Sequence, residues 1–189
     1  MKTQLMIITG LVLSACGSGS GTDLVSATAN PYATALAEGE DASLYVDDAN
    51  YEGGTGNANV GTFAVYTGTR KGINHSVVGW EPSNTMGAVP AGNATFTGIY
   101  HLAVSNDGGS ISGGDPITLE FNSAASTLTG TAGALSIDGT VTGSSIGGSV
   151  DLDGTAGNLV GEIGFNGAIG AFSGGDSGRG FAGGFLVTP

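Results

Sequence analysis

Glycine constrains this sequence more than any other residue type, because it accounts for 37 of the 189 residues. In a helix interior each glycine costs about 1 kcal/mol relative to alanine, which argues against long helices. Collagen is excluded as well, since only 5 prolines are present and glycine follows no strict three-residue period. Disorder fits poorly, because 40% of the residues are hydrophobic and disordered chains are poor in apolar residues. A β-rich chain with many turns remains.

The charge balance excludes one class of partner. Sixteen acidic residues against four basic ones give a net charge of −12. Because neutralising phosphates requires clustered lysine and arginine, we predict that the protein binds no nucleic acid.

The N-terminal segment has the layout of a secretory signal. Lys2 precedes an apolar run over residues 5–13, which is too short to cross a bilayer. Leu13-Ser14-Ala15-Cys16 follows and matches the bacterial lipobox, in which the cysteine thiol receives a diacylglycerol. We therefore predict a signal peptide over residues 1–15 and a lipid anchor on Cys16, three acyl chains in all, which suffices for stable anchoring. The alternative is an ordinary signal peptide with a chance cysteine.

A glycine/serine run follows Cys16 directly, and such runs behave as flexible coil. We predict that residues 16–30 form a lipidated tether. Cleavage would remove Lys2 and leave three basic against sixteen acidic residues, a net charge of −13. Anionic headgroups repel so acidic a chain, so we expect the lipid rather than the protein surface to hold it at the membrane.

Residues 31–92 are irregular and are predicted to form a small strand-rich handle subdomain. Alternation at residues 62–66 and 74–80 predicts two strands, and residues 43–46 are a weaker strand candidate. Residues 51–57 are rich in turn formers and are interpreted as a turn between strands.

Residues 93–189 are far more regular, with apolar residues at every second position in short segments separated by turn formers. This pattern is typical of antiparallel strands in a sandwich or barrel. The eight segments lie around residues 95–102, 117–121, 128–132, 135–141, 146–152, 159–166, 168–173 and 180–187.

Closure into an eight-stranded barrel is favoured, because it removes exposed strand edges and leaves an interior that side chains just fill. A β-sandwich and a β-helix remain as alternatives, although a β-helix should show a fixed short repeat. A transmembrane barrel needs an apolar outer face, whereas the outward positions here include acidic residues: Glu120, Asp138, Asp151 and Glu162. The predicted fold is therefore all-β: a Gly-rich antiparallel eight-stranded barrel preceded by the handle.

Several glycines share the register of the large apolar residues, and we predict that they face inward. A glycine there lets a strand bend and leaves room for a phenylalanine or tyrosine opposite. These glycines are Gly98, Gly139, Gly148, Gly161, Gly170 and Gly183.

The barrel segments carry a family resemblance. Residues 117–121 end in a phenylalanine and lead into Leu128-Thr129-Gly130, and the Gly/Phe-rich residues 180–185 close the chain. With the lipobox and the tether, these motifs resemble the transferrin-binding-protein-B-like surface lipoproteins over about residues 60–189. The resemblance implies a haem carrier, an iron-carrying protein or another macromolecule as partner, and export through a surface-lipoprotein translocon. This chain differs from the transferrin binder itself, which has two lobes and longer loops.

The sequence holds none of the common catalytic signatures. It has no GxSxG elbow, no Walker loop and no HExxH, and no Cys/His metal spacing follows Cys16. Its carboxylates are scattered along alternating outer faces, where solubility explains them better than glycoside hydrolysis. We predict that the protein is not an enzyme.

One segment combines cations with aromatic residues in an otherwise acidic chain: Tyr66, Arg70, Lys71, His75 and Trp80. Loops and turns carried by a rigid scaffold are common places for binding residues, so these five are the candidate partner-binding residues. Histidine and tyrosine both ligate haem iron, but no clear ligand motif is present, and no cofactor is predicted. The alternative interpretation is a surface histidine on a strand edge and a tryptophan that closes the subdomain core. His101 is predicted to face outward into solvent.

Three functional hypotheses follow. The first is a binding module for a macromolecule such as a haem or iron carrier protein, anchored in the outer membrane and exposed on the cell surface, with the periplasmic face as an alternative. The second is a structural envelope lipoprotein with no dedicated ligand. The third, a lipocalin-like carrier, conflicts with a barrel interior that the predicted phenylalanines and leucines fill.

Overall fold

The computed structural model describes residues 30–189, which are almost entirely β-strand and turn. The predicted signal peptide, Cys16 and the tether up to residue 29 lie outside the described residues. Between residues 30 and 189 no helix is long and apolar enough to span a membrane.

The first sheet, the handle sheet, has four strands in the order β1-β4-β3-β2. Strand β1 runs parallel to β4, and the other pairs are antiparallel. A two-residue turn joins β3 to β4, and its residues, Lys71 and Gly72, both have positive φ (53° and 78°), as a type I′ hairpin turn requires. The elements are β1 (Ala33–Ala35), a 3-10 helix (Ala42–Leu44), β2 (Asp47–Asn57), β3 (Gly61–Arg70) and β4 (Ile73–Pro82).

Two sequence-based expectations for this sheet are wrong. Residues 43–46 overlap a 3-10 helix instead of forming a strand. The Asp41 carboxylate caps this helix by accepting a hydrogen bond from the Ser43 backbone N–H. Residues 51–57 form most of β2 instead of a turn. Their glycines permit close approach to β3, since a Cβ on Gly54 would clash with the Phe63 carbonyl oxygen.

The second sheet is a closed eight-stranded barrel, so the predicted fold class is confirmed. Each strand pairs with the next in the chain, and β12 pairs with β5 to close the ring. The strands are β5 (Ala94–Asn106), β6 (Gly109–Asn122), β7 (Thr127–Ala132), β8 (Leu135–Thr142), β9 (Ser145–Leu152), β10 (Thr155–Gly164), β11 (Gly167–Gly175) and β12 (Arg179–Thr188).

Glycine and phenylalanine pair reciprocally across β11 and β12. Gly170 lies opposite Phe185, and Phe172 lies opposite Gly183. A Cβ on either glycine would come within 2.6 Å of the facing ring. Gly170 and Gly183 therefore make room for aromatic rings, as predicted from the sequence. The other four glycines do not face a ring: a Cβ on Gly98, Gly148 or Gly161 would meet the backbone of a neighbouring strand, and one on Gly139 would meet the Ile146 side chain.

The barrel departs from its predicted segments in two places. Strand β6 begins at Gly109, although the Gly-rich residues 109–116 lack the alternation that marks a strand. Phe165, predicted to alternate inward with Ile163, is 69% exposed, because it lies in the turn after β10.

The handle sheet packs on the outside of the barrel through a second apolar core, separate from the core inside the barrel. From the handle this interface core contains Phe63, Val65, Val78 and Trp80, and from the barrel mostly small residues. A Cβ on Gly184 would meet the Phe63 ring at 2.6 Å. The small residues of β11 and β12 thus form the seat on which the handle rests.

Candidate functional site

The β3–β4 hairpin carries all five residues that the sequence nominated, but it distributes them over two faces. Trp80 belongs to the interface core, and its Nε1–H donates to the Leu36 carbonyl oxygen at 3.2 Å. Tyr66 and Arg70 lie on the opposite face, and Lys71 is exposed in the turn. The structure therefore keeps Tyr66, Arg70 and Lys71 accessible together and assigns Trp80 to packing.

His75 is 1% exposed, so the interpretation of a surface histidine is wrong. Its Nδ1 lies 2.8 Å from the Pro31 carbonyl oxygen, which only accepts, so Nδ1 carries the proton. In the neutral ring Nε2 then accepts from the Thr34 hydroxyl at 3.1 Å. With both nitrogens bonded, His75 ties the chain around β1 to the handle sheet and has no free nitrogen for a haem iron.

The environment of His75 favours its neutral form. Burial lowers the pKa of the imidazole below its usual value near 6.5, and the nearby Arg70 charge lowers it further, against an opposing effect of the bond to Pro31. Below about pH 6.5 an unfolded chain protonates this histidine while the folded protein does not. The contribution of the neutral His75 to the free energy of unfolding is therefore fully present above that pH. It is lost as the pH falls towards the lowered pKa of the folded protein.

We expect urea unfolding of the wild type to show lower stability at pH 5.5 than at pH 7.5, and His75→Gln to show a smaller difference. The variant removes the only buried imidazole among the described residues. His101→Gln is the matched control, because it removes the other histidine and should leave the pH dependence in place. Equal pH dependence in the wild type and His75→Gln would contradict this assignment.

The accessible side of the handle sheet carries a cluster that we call the tyrosine face, formed by Leu44, Tyr45, Tyr51, Tyr66 and Arg70. The rings of Tyr51 and Tyr66 meet edge to face, with centroids 5.5 Å apart. The Arg70 guanidinium lies 4.0 Å above the centre of the Tyr45 ring, a cation–π contact. Leu44 is 83% exposed and Tyr51 60% exposed. The face therefore combines apolar area with preoriented polar groups.

Sequence reasoning missed three members of this face. Leu44 and Tyr45 come from the 3-10 segment, and Tyr51 comes from the strand that was interpreted as a turn. The available signal was compositional: three of the five tyrosines fall between residues 45 and 66.

A groove of about 270 Å³ adjoins the tyrosine face at Tyr66. It runs between the chain at residues 39–42 and strands β3 and β4, and its lining includes three carboxylates, those of Glu40, Asp41 and Glu81. Hydrogen bonds from Ser43 lower the pKa of the Asp41 carboxyl and favour its charged form. The handle thus has a cationic, aromatic region beside an acidic one.

His101 faces outward from the barrel as predicted, but it is only partly exposed to solvent, contrary to the expectation of a solvated side chain. Its ring is half-buried, with Phe63 at a centroid distance of 6.2 Å. A Cβ on Gly53 of β2 or on Gly114 of β6 would clash with its Nδ1. His101 therefore fills space under the handle between two glycine strands.

Among residues 30–189, no group of three or more histidine, cysteine or acidic side chains is arranged to hold a metal ion.

Solved structures provide a likeness of fold. The chain is similar to HpuA from Kingella denitrificans in complex with human haemoglobin, at 15% identity and a TM-score of 0.50, covering 69% of this chain and 55% of that one. The apo haemoglobin receptor HpuA from the same organism gives 15% identity and a TM-score of 0.47, with coverages of 67% and 54%. Isotype 1 transferrin binding protein B from serogroup B Neisseria meningitidis gives 13% identity and a TM-score of 0.48, covering 75% of this chain and 35% of that one.

The chain spans about half the length of the HpuA chains it matches. The likeness to HpuA in its haemoglobin complex shows a shared fold, so the resemblance predicted from the sequence is confirmed at that level. All three structures are of proteins named as receptors or binding proteins, or solved with a bound protein partner, and none is named as an enzyme. No protein-family model and no curated protein sequence matches the chain.

Proposed function

We propose that this protein is a lipid-anchored binding module that captures a macromolecule, such as a haem or iron carrier protein, through its tyrosine face. In this proposal residues 1–15 are a signal peptide, Cys16 carries the lipid, and residues 16–30 tether the fold. The protein would lie in the outer membrane and face the cell exterior. A surface-lipoprotein translocon that recognises the barrel would export it.

The tyrosine face is the observation that carries the proposal. Tyrosine and arginine are enriched at the energetic centres of protein interfaces, because they bury large areas with few rotatable bonds. Here Tyr51 is exposed and the other three are half-buried, they pack in pairs, and the sheet that carries them is fixed to the barrel. Solubility alone does not explain two large apolar side chains as exposed as Leu44 (83%) and Tyr51 (60%) on the handle.

Charge supports an orientation for the partner. Arg70 and Lys71 stand together at the β3–β4 turn of a chain with a net charge of −12. An acidic patch on a partner would be repelled by most of the surface and attracted at this turn, which favours its approach to the tyrosine face.

The fold likeness supports the choice of candidates. HpuA, a protein of the same fold, was solved in complex with human haemoglobin. Haemoglobin is therefore the first candidate to test, followed by transferrin and haem-loaded albumin.

We expect the immobilised protein to retain one of these carriers, and Tyr51→Ala to weaken that binding about thirtyfold, which corresponds to a loss of about 2 kcal/mol at an interface hot spot. Phe165→Ala is the matched control, because this ring is similarly exposed but belongs to the turn after β10. Surface plasmon resonance measures both variants.

Two results would contradict the proposal. Equal binding by Tyr51→Ala and the wild type would remove the tyrosine face from the interface. Retention of no carrier by the wild type, together with altered envelope permeability on deletion of the gene, would favour the structural envelope lipoprotein instead. Protease treatment of intact cells and palmitate labelling of Cys16→Ser test exposure and anchoring separately.

A further inference from the structure

The first half of strand β6 has an unpaired edge. Residues 109–117 pair with β5 on one side, while β7 pairs only with residues 118–122 on the other. In an antiparallel strand the backbone groups of alternate residues point to each side, so this edge presents a row of free N–H and C=O groups. Residues 110–116 are all exposed.

Natural proteins usually blunt such an edge with charge, proline or a bulge. In β6 the protection stands only at the two ends of the unpaired stretch, with Asp107 in the turn before it and Asp115-Pro116 after it. The window between them, residues 109–114, has the sequence Gly-Ser-Ile-Ser-Gly-Gly and carries no charge and no proline. Its one large side chain, Ile111, is 73% exposed. At about 3.4 Å per residue, this window offers roughly 20 Å of edge to another strand.

The open edge lies at the same end of the molecule as the β3–β4 turn. The Asn74 amide, at the start of β4, donates to the Asn106 carbonyl oxygen at 3.0 Å, just before the β5–β6 turn. On that turn the Asp107 carboxylate accepts from the Tyr32 hydroxyl at 2.9 Å. A macromolecule docked at the cationic turn of the handle would therefore reach the β6 edge without crossing the barrel.

The surroundings of the edge specify the chemistry of a strand that would fit it. Asp107 and Asp115 bracket the window, and both are exposed carboxylates in a strongly acidic chain. Ile111 lies directly opposite Val104, and the half-buried Val104 packs against the barrel core. A basic strand with an apolar residue at every second position would complement the two carboxylates and would also pack against Ile111.

We propose that the edge of β6 over residues 109–114 is a β-augmentation site that takes an extended, basic segment of the captured partner, with alternating apolar side chains. This inference rests on the proposed capture function, because it assumes a partner held at the same end of the molecule. Backbone hydrogen bonds would supply affinity, and the two aspartates would select for positive charge.

The test uses the whole protein and a defined probe, a soluble octapeptide in which valine alternates with lysine and threonine. We expect the peptide to slow hydrogen exchange of the outward amides between residues 110 and 114 in a saturable way. The matched control peptide has the same sequence with N-methyl groups on alternate backbone nitrogens, and a second control replaces lysine with glutamate. Absence of protection with the first peptide, or equal protection with either control, would overturn the proposal.

Proline substitution tests the edge from the protein side. Of Ser112 and Gly113, one directs its N–H to β5 and the other outward, because neighbouring residues alternate. We therefore expect one of Ser112→Pro and Gly113→Pro to destabilise the barrel, and the other to keep the unfolding midpoint and bind the peptide about fivefold more weakly, as expected for one lost hydrogen bond. Unchanged peptide binding by the stable variant would overturn the proposal.

The outcome separates this inference from the proposed function. The peptide measurement needs no carrier protein, and the Tyr51→Ala measurement needs no β6 edge. Carrier binding that is lost in Tyr51→Ala but undiminished in the stable proline variant would leave capture standing and overturn augmentation. Concentration-dependent dimerisation of the wild type that the stable proline variant abolishes would identify a second copy as the occupant and overturn the proposal as stated.

Discussion

Phe185→Ala is expected to destabilise the protein by about 3–5 kcal/mol, the range for deleting a fully buried phenylalanine side chain. Phe185 has no exposed surface and lies in the core inside the barrel. On the β11 side the facing position is Gly170, which has no side chain to fill the cavity, and on the β5 side it is the buried Tyr100. Urea unfolding followed by tryptophan fluorescence and circular dichroism measures the loss.

The reciprocal change tests why glycine stands opposite the ring. A Cβ on Gly170 would lie 2.6 Å from the Phe185 ring, so we expect Gly170→Ala alone to cost about 1–3 kcal/mol through overpacking. In the Phe185→Ala background the same change should cost much less, because the ring that it strikes is gone. The double-mutant cycle should therefore give a coupling of about 1–3 kcal/mol.

Gly147→Ala is the matched control for the cycle. Gly147 lies in β9 with an ordinary φ, and a Cβ added there would have no other atom within 4 Å, so alanine meets open space. We expect it to leave stability unchanged or raise it by up to about 1 kcal/mol, since alanine restricts the unfolded chain more than glycine does. Additive effects of Gly170→Ala and Phe185→Ala would contradict the packing role of the glycine.

The barrel could be predicted because its strands satisfy two local rules at once. Strands β8 to β10 alternate apolar residues with threonine, serine or acidic residues, and two-residue or similarly short turns separate them. One side of such a strand faces the core and the other faces water, so the period of two is written directly in the sequence. The inward glycines are recognisable for the same reason, because they keep the apolar register.

The strands that sequence reasoning missed are those whose conformation is imposed by a neighbour. Residues 51–57 and 109–116 are rich in glycine, which has no β preference of its own, and they become strands by pairing with β3 and β5. Strand β1 has three residues and is held by β4 and by the His75 bonds. Long-range strand pairing determines the conformation of these segments, and no local sequence pattern indicates that pairing.

The candidate site was only partly recoverable for a similar reason. His75 and Trp80 are an odd number of residues apart in β4, so a strand directs them to opposite faces, and parity alone separates them. The burial of His75 depends on the chain before β1, which folds over it from 44 residues away. Two other elements supply the remaining members of the tyrosine face, namely Leu44, Tyr45 and Tyr51. Only the tertiary structure brings these residues together.

The seat of the handle had a readable signal. Strands β11 and β12 are apolar on both faces, whereas the other barrel strands alternate with polar residues. A barrel strand that is apolar outside as well as inside must be covered, and small outward residues indicate close packing of the covering element. The outward residues concerned are Ile169, Ala171, Ala182 and Leu186, together with Gly184 beneath the Phe63 ring.

Ala182→Asp is expected to release the handle from the barrel while the barrel stays folded. Ala182 is fully buried in the interface core, and a carboxylate there would lose its hydration without gaining a cation, at a cost of several kcal/mol. The barrel has a closed ring of strands and its own core, neither of which includes the side chain of residue 182. The substitution therefore destabilises the contact between the handle sheet and the barrel and leaves the barrel core unchanged.

Hydrogen exchange resolves the two parts of the molecule. In Ala182→Asp the amides of β1 to β4 should lose protection, while those of β7 to β10 keep it, and limited proteolysis should cut first between residues 83 and 93. Ala124→Asp is the matched control, because it adds the same charge at an exposed turn and should change neither. Unaltered protection of the handle would show that the seat tolerates a charge, and simultaneous loss in both sheets would show that the barrel depends on the handle.

The same variant tests whether capture needs a rigidly mounted face. Ala182→Asp leaves every residue of the tyrosine face unchanged, yet it removes the support that fixes Phe63 against Gly184 on the reverse side of the same sheet. Because ordering a loosened sheet on binding costs conformational entropy, we expect carrier binding to weaken at least tenfold, about 1.4 kcal/mol. Full binding by a variant with an exchanging handle would mean that the partner is recognised by local contacts alone, without the support of the barrel.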